Sequence, residues 1–232
     1  MNLELKVIDL GLSSYADAWK IQKELFEKRK NMEIEDTLIL TEHMSTITFG
    51  KNKEWNTLHV PVEYLRKEGI EFFGETPRGG GAAYLGPGQL IGYTIMDIKP
   101  YGGVKEFMIK LEEVMIRSAR DFRVEIGRYD VKNPTTDKPY RATWYRNNGN
   151  DYVLCTKGIG VHPNGRGTYT HHGFSLNVNS EKSYFHLIDP CGFPLDQVRQ
   201  ISLQDIIGKK IDMDKVKKSV IKNFREVFEK NG

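Results

Sequence analysis

The sequence predicts an α+β fold in which a mixed, mostly antiparallel sheet packs against helices. Strand-like and helical segments are mixed along the chain without the regular strand–helix alternation that builds a parallel sheet. An Asn-Gly pair within NNGN (147–150) also joins two strand-like segments, as in an antiparallel hairpin. From this arrangement we expect the helices to cover one side of the sheet.

The first elements are a strand, a helix and a long β-branched segment. Residues 3–9 alternate between apolar and polar side chains, as a half-buried strand does. Ser13 or Ser14 caps a helix that runs to about Lys30. The apolar segment 37–50 then predicts two strands, or one strand with a break near its histidine.

Later segments continue the same mixture. A short helix lies within 60–69, and residues 89–98 form an apolar strand. Apolar residues keep a helical period throughout 103–122, which predicts a long helix with one face in the core. The remaining predicted elements are three strands followed by two helices, in the segments 142–146, 151–162, 173–179, 202–207 and 213–229.

Length and composition favour one soluble globular domain covering residues 1–232, or one domain with a short appendage. The chain is 39% hydrophobic and 28% charged, and it contains no apolar run near the roughly 20 residues of a membrane span. Its start does not resemble a signal peptide, so we expect a cytoplasmic protein without a membrane role. A net charge of +3 with alternating Lys and Glu gives no reason to expect nucleic-acid binding.

The segment PRGGGAAYLGPGQL (77–90) holds five glycines in fourteen positions, which suggests close approach of the backbone to a ligand. It is not a phosphate loop. A Walker-type loop needs Gly-Lys-Ser/Thr entering a helix, and a dinucleotide loop needs a helix after the glycines, whereas here a strand follows. A glycine-rich hairpin is the simpler alternative, but Arg78 and Gln89 bracket the segment with specific polar groups.

Cys191 and Lys157 are the candidate catalytic residues. Cys191 stands between proline and glycine in IDPCGFP, a turn that leaves a thiol uncrowded, and a nearby cation would raise its nucleophilic thiolate fraction. Lys157 is a candidate cation, although taken alone it also fits an outward-facing strand lysine. The other cysteine, Cys155, fits a small buried residue.

No metal site is expected. Two cysteines cannot make a four-thiolate zinc site, and the adjacent His171 and His172 would point to opposite faces of a strand. Each histidine alone fits a structural role.

Taken together and in this order, five segments resemble the octanoyltransferases of protein lipoylation. The resemblance covers roughly residues 5–205, and the segments are LTEHMSTITFG, RGGGAAYLGPGQLIGY, KGIGV, HGFSLNVN and DPCGFP. The resemblance implies the fold of the catalytic domains of biotin and lipoate protein ligases. It also implies that an octanoyl or lipoyl group passes from acyl carrier protein to a lysine of lipoyl domains of 2-oxoacid dehydrogenases or of glycine-cleavage H protein. Neither ATP, a metal nor another cofactor is implied, because a thioester is already activated.

The resemblance also assigns site residues. Cys191 matches the acyl-carrying cysteine, with Lys157 as its partner in deprotonation. Three segments match the family's acyl pocket, and their glycine amides are candidate donors to a tetrahedral oxyanion. The matching residues are Arg78, Gly79, Gly80, Gly81, Ala82, Ala83, Tyr84, Leu85, Gly158, Ile159, Gly160, His172, Gly173, Phe174 and Ser175.

This chain departs from the family pattern at two positions. The family usually has a histidine where this chain has Leu85, so a proton-handling group there is absent or is supplied from elsewhere, with His172 and Tyr84 as candidates. Counted from Gly-Ile-Gly, the family lysine falls on Cys155, two positions before Lys157. Positions two apart on a strand share a face, about 6.6 Å apart, so Lys157 is predicted to serve with a local shift.

Three other functions are compatible with parts of the sequence. GGGAAY is similar to the glycine segment of lipoate ligases, which adenylate a free acid with ATP, but such an enzyme has no use for Pro-Cys-Gly. An amidotransferase that moves octanoyl between proteins through a cysteine is a closer relative of the main hypothesis. A paralogue that binds acyl carrier protein or lipoyl domains without turnover is the non-enzymatic alternative.

Overall fold

The computed structural model describes residues 5–52, 57–129, 131–132, 137, 140, 142–181, 184–190 and 199–228. These residues form ten strands and five α-helices. The strands are β1 (Lys6–Ser13), β2 (Thr37–His43), β3 (Thr46–Phe49), β4 (Glu71–Phe73), β5 (Ala82–Leu85), β6 (Gln89–Ile95), β7 (Thr143–Asn147), β8 (Asn150–Pro163), β9 (Thr168–Asn177) and β10 (Arg199–Gln200). The helices are α1 (Tyr15–Lys30), α2 (Val62–Lys67), α3 (Gly103–Asp121), α4 (Leu203–Ile207) and α5 (Met213–Phe228).

The strands form one large and one small sheet. The large sheet has the order β1-β2-β6-β9-β8-β10, and β7 also pairs with β8. Only β1–β2 and β8–β10 are parallel there, so the predicted α+β class with a mixed, mostly antiparallel sheet is confirmed. The small sheet, β4-β3-β5, was not predicted as a separate unit. It forms because β3 leaves the large sheet after Met44 and pairs with β5 instead.

Local signals explain where several elements begin and turn. Ser14 is the N-cap of α1, and its hydroxyl accepts a hydrogen bond from the Asp17 amide at 3.1 Å. Asn148 and Gly149 both have positive φ, 49° and 75°, which is the conformation of the tight turn between β7 and β8. The predicted hairpin and the serine-capped helix are therefore confirmed.

Helices cover both faces of the large sheet, so the expectation of a single covered side is wrong. Leu38 and Leu40 of β2 pack in the core cluster formed with α3 and α5. Ile39, between them, packs in a second cluster with Ala18 and Phe26 of α1. Neighbouring strand residues point to opposite faces, and a strand buried on both faces is apolar throughout rather than alternating. The consecutive apolar residues Leu38, Ile39 and Leu40 carried that signal.

None of the helices in the described part of the chain combines the length and apolar character needed to span a bilayer.

Candidate functional site

A pocket with about 800 Å³ of empty space, open to solvent, lies where β5 and the glycine segment meet β6, β8 and β9. Most of the sequence-predicted site residues border it. Those that do are Arg78, Gly79, Gly80, Ala82, Ala83, Tyr84, Leu85, Lys157, Gly158, His172, Gly173, Phe174 and Ser175. Three segments that are far apart in the sequence are thus brought together around one space.

Three predicted residues do not border this pocket, and one lies outside the described residues. The Gly81 carbonyl accepts hydrogen bonds from the Gly50 amide and the Arg78 guanidinium. Ile159 is buried in the core cluster on the α3 side of the sheet, and Gly160 faces the His171 ring. None of these contacts is with the pocket. Cys191 lies outside the described residues, whereas Pro190, the residue before it, borders the pocket.

The glycines of β8 allow the glycine segment to lie directly on the strand. A Cβ at Gly158 would stand 2.9 Å from the Gly79 carbonyl oxygen, and one at Gly160 would stand 2.6 Å from the Pro77 carbonyl oxygen. The Gly79 amide donates to the Ile159 carbonyl at 3.0 Å. That amide is therefore already paired and is not a free oxyanion donor. Close backbone packing accounts for these glycines without a ligand.

Arg78 anchors the glycine segment to β3. Only 8% of this residue is exposed, and its guanidinium donates to the Thr48 carbonyl and hydroxyl oxygens, both at 2.8 Å. It also donates to the carbonyls of Gly79 at 3.0 Å and Gly81 at 2.9 Å. Arginine can donate from five N–H groups in a planar fork, which suits a residue that gathers several carbonyls. Arg78 thus shapes the pocket wall in addition to bordering the space.

A line of amide side chains forms the polar wall of the pocket. Gln89 accepts from the Gly86 amide at 2.7 Å and donates to the Asn177 side-chain oxygen at 2.8 Å. Asn177 donates in turn to the Gln200 side-chain oxygen at 3.2 Å. All three side chains border the pocket. Gln89 was a candidate from the sequence but Asn177 was not, although Ser175, Asn177 and Asn179 alternate with apolar residues in GFSLNVN.

The ammonium group of Lys157 lies on the helix side of β8. It forms an ion pair with Glu112 of α3, and its side chain is only 2% exposed. Cys155 and Ile159, two positions to either side, pack in the α3–α5 cluster on that face. Thr156, which lies between Cys155 and Lys157, points to the opposite face of the sheet. Its hydroxyl contacts the Ser175 hydroxyl at 2.7 Å, and both residues border the pocket. Lys157 therefore borders the pocket, but its ammonium group is paired with Glu112 of α3.

Cys155, two positions before Lys157, is a buried thiol. It is 1% exposed, and burial raises the pKa of this thiol far above its usual value. It stays protonated near neutral pH and supplies neither a cation nor a thiolate.

The two adjacent histidines contact one another, so the expectation that they face opposite sides of the strand is wrong. His172 has a φ of 60°, which interrupts the side-chain alternation of β9. As a result the Nδ1 atoms of His171 and His172 lie 2.7 Å apart. In the described part of the chain, no group of three or more His, Cys, Asp or Glu is placed to hold a metal ion.

Two tyrosines that carry no sequence motif also border the pocket. Tyr15 of α1 and Tyr93 of β6 border it, with hydroxyls 2.9 Å from His172 Nε2 and 2.6 Å from His43 Nε2. Burial raises the pKa of Tyr15 to about 12 and lowers the pKa of His43 to about 4. Both groups are neutral at pH 7. No sequence pattern joins these residues, because they come from four distant elements.

The two candidates to compensate for Leu85 have different surroundings. The Tyr84 hydroxyl contacts the Ser45 hydroxyl at 3.1 Å, and burial raises its pKa. Both ring nitrogens of His172 are hydrogen-bonded, one to Tyr15 and one to His171.

Comparison with known proteins gives one consistent family. A family model described as the lipoyl protein ligase A/B catalytic domain matches residues 14–225. An octanoyltransferase of Desulforamulus reducens is 34% identical over 98% of this chain and 92% of its own length. An octanoyltransferase of Rubrobacter xylanophilus is 37% identical over 94% of this chain and 90% of its own length.

Solved structures share the fold at low sequence identity. A putative lipoate protein ligase from T. acidophilum with bound lipoic acid has a TM-score of 0.67 and 14% identity, over 97% of this chain and 86% of that one. A lipoate-protein ligase A bound with ATP has a TM-score of 0.66 and 15% identity, over 98% of this chain and 85% of that one. At these identities the likeness concerns the fold alone.

Proposed function

Because the chain belongs to the lipoyl protein ligase A/B catalytic domain family, we propose that it is an octanoyltransferase acting in protein lipoylation. The donor is octanoyl-acyl carrier protein, and the acceptor is a lysine of a lipoyl domain of a 2-oxoacid dehydrogenase or of glycine-cleavage H protein. Residues 1–232 form one catalytic domain of this enzyme, which acts in the cytoplasm.

One structural observation carries the proposal. The glycine segment, the GFS segment of β9 and Pro190 all border the same pocket, and Cys191 follows Pro190 directly in the sequence. Ala82, Ala83, Leu85, Ile91 and Phe174 supply apolar surface there. An elongated acyl chain needs apolar walls and a few polar groups that fix its thioester end. The amide line from Gln89 to Gln200 offers such groups.

The chemistry proceeds in two halves. Cys191 loses its proton, and its thiolate attacks the octanoyl thioester. The new bond from the Cys191 sulfur to the acyl carbon replaces the bond of the carrier's sulfur, which takes up that proton and leaves as a thiol. The acceptor amine then attacks the octanoyl-cysteine thioester, forming an amide and returning the Cys191 thiol. Neither half consumes ATP, because the energy of the thioester is retained until the amide forms.

Intact mass spectrometry tests this function against an adenylating ligase. We expect the purified protein to gain one octanoyl group from octanoyl-acyl carrier protein without ATP, and to pass that group to a lipoyl domain. A ligase would instead modify the lipoyl domain from free octanoate only when ATP is present. A protein that forms no adduct but binds either partner would be a non-catalytic paralogue.

Lys157 remains the proposed partner of Cys191, and its pairing with Glu112 allows a matched test. If the lysine assists deprotonation, Lys157→Ala should slow octanoylation of the enzyme by about 100-fold, the lower range for a general base. Single-turnover rates on folded protein measure the effect.

Glu112→Gln is the control, because it removes the charge of the partner and leaves the lysine in place. If Lys157 has only a structural role, both substitutions should lower the thermal stability, and neither should change the octanoylation rate. That result would contradict the assignment of Lys157.

A further inference from the structure

Three histidines and a tyrosine form a continuous hydrogen-bonded chain from the surface to the pocket. His162 Nε2 lies 2.8 Å from His171 Nε2, and His171 Nδ1 lies 2.7 Å from His172 Nδ1. His172 Nε2 lies 2.9 Å from the Tyr15 hydroxyl. His162 is half-buried at the outer end, whereas His172 and Tyr15 border the pocket at the inner end.

The chain uses both nitrogens of the two inner rings, which gives it two complete hydrogen-bonding patterns. A neutral imidazole has one donor nitrogen and one acceptor nitrogen. In one pattern Tyr15 donates to His172, His172 to His171, and His171 to His162. In the other pattern every bond is reversed. Passage of one proton along the chain converts one pattern into the other.

The rings are held in place and kept neutral by their surroundings. Trp19 stacks on His172 with centroids 4.8 Å apart, and Phe26 contacts the edges of both His162 and His171. Burial, together with His162, lowers the pKa of His171 to about 4. Burial also holds the pKa of His172 well below its usual value. Neutral rings pass a proton onward instead of retaining it.

Charged and titratable groups face the chain from four elements. Lys51, after β3, and Lys30 of α1 lower the pKa of His162, whereas Glu27 of α1 raises it. Arg78 and His43 lower the pKa of His172. Two cations therefore lie at the outer end of the chain and one at the inner end, so neither end retains a proton.

The proposed reaction releases a proton inside the pocket. An acceptor lysine arrives mostly as an ammonium group, since the usual pKa of lysine is about 10.4. Amide formation makes one N–C bond, breaks the C–S bond to Cys191 and removes two protons from the nitrogen. One proton completes the Cys191 thiol, and the other has to leave while the acceptor protein covers the mouth of the pocket.

We propose that the Tyr15–His172–His171–His162 chain conducts this second proton from the acceptor amine to solvent. This inference rests on the proposed octanoyl transfer. Tyr15 and His172 receive the proton at the pocket, and His171 and His162 act as relay residues behind them.

His162→Gln tests the relay, because glutamine keeps a polar atom near His171 but cannot pass a proton between two nitrogens. Starting from isolated octanoyl-enzyme at pH 7, we expect transfer to a purified lipoyl domain to slow by about 10-fold. Formation of the octanoyl-enzyme should keep its wild-type rate. The defect should shrink as the pH rises toward 10, where the acceptor amine loses its proton to water first, and added imidazole should restore the rate.

His186→Gln is the matched control, because His186 is an exposed histidine outside the chain. It should leave both half-reactions at wild-type rates. A His162→Gln variant with wild-type transfer at pH 7, or with a defect that neither pH nor imidazole relieves, would overturn the relay. Absence of octanoyl-enzyme in the wild-type protein would instead overturn the octanoyl-transfer function on which the relay rests.

Discussion

Cys191→Ser is expected to abolish the octanoyl adduct and to reduce octanoyl transfer to a lipoyl domain by at least about 1,000-fold. A serine hydroxyl is a weak nucleophile at its free pKa, whereas a cysteine is partly ionised near neutral pH and is intrinsically very nucleophilic. Intact mass after incubation with octanoyl-acyl carrier protein measures the adduct. A rapid-quench assay on the lipoyl domain measures the transfer.

Cys155→Ala supplies the matched control for this prediction. The chain has two cysteines, so in this variant Cys191 is the sole thiol and any thioester adduct is assigned to it. We expect the adduct to form at the wild-type rate, because Cys155 is buried among the core residues on the α3 side. An adduct that persists in Cys191→Ser and vanishes in Cys155→Ala would contradict the assignment of Cys191.

Arg78→Met should lower the free energy of unfolding by about 3–5 kcal/mol. Methionine fills much of the volume of the arginine stem but leaves the carbonyls of Thr48, Gly79 and Gly81 without the donor that now binds them. A buried carbonyl that loses its charged donor has no water to replace it, and this desolvation cost lowers the free energy of unfolding. Chemical denaturation monitored by circular dichroism measures the loss.

Arg66→Met is the comparison variant, since Arg66 is an exposed residue of α2. Its effect should stay within about 0.5 kcal/mol. If Arg78→Met keeps wild-type stability but loses affinity for octanoyl-acyl carrier protein, Arg78 binds substrate and does not anchor the glycine segment.

The secondary structure of this chain was predictable where one local signal dominates. The apolar period of α3 and the serine cap of α1 are written in consecutive residues, and each element begins within a residue or two of its expected position. The separation of β2 from β3 was visible as a break near His43, but the small sheet was not. Its partners β4 and β5 come from later segments, and strand pairing over such distances leaves no local pattern.

The residues of the candidate site also divide into those that local sequence predicted and those that it did not. Gly79, Gly158 and Gly173 were predictable as pocket residues because close approach demands glycine, and the motif that contains them resembles a known family. Tyr15 was not predictable, since it becomes a pocket residue only when α1 packs against β9. The direction of the Lys157 side chain was likewise open until α3 placed Glu112 beside it.

The sequence by itself determined the α+β class, the helix and strand segments and the family of this protein, because these depend on local periods and on short motifs. The tertiary structure alone decided which groups share a neighbourhood. In it Lys157 pairs with Glu112 of α3, Arg78 binds the glycine segment to β3, and three histidines form hydrogen bonds in a chain that ends at Tyr15. The physical reason is that these interactions depend on the relative placement of distant elements, which burial of a common core imposes.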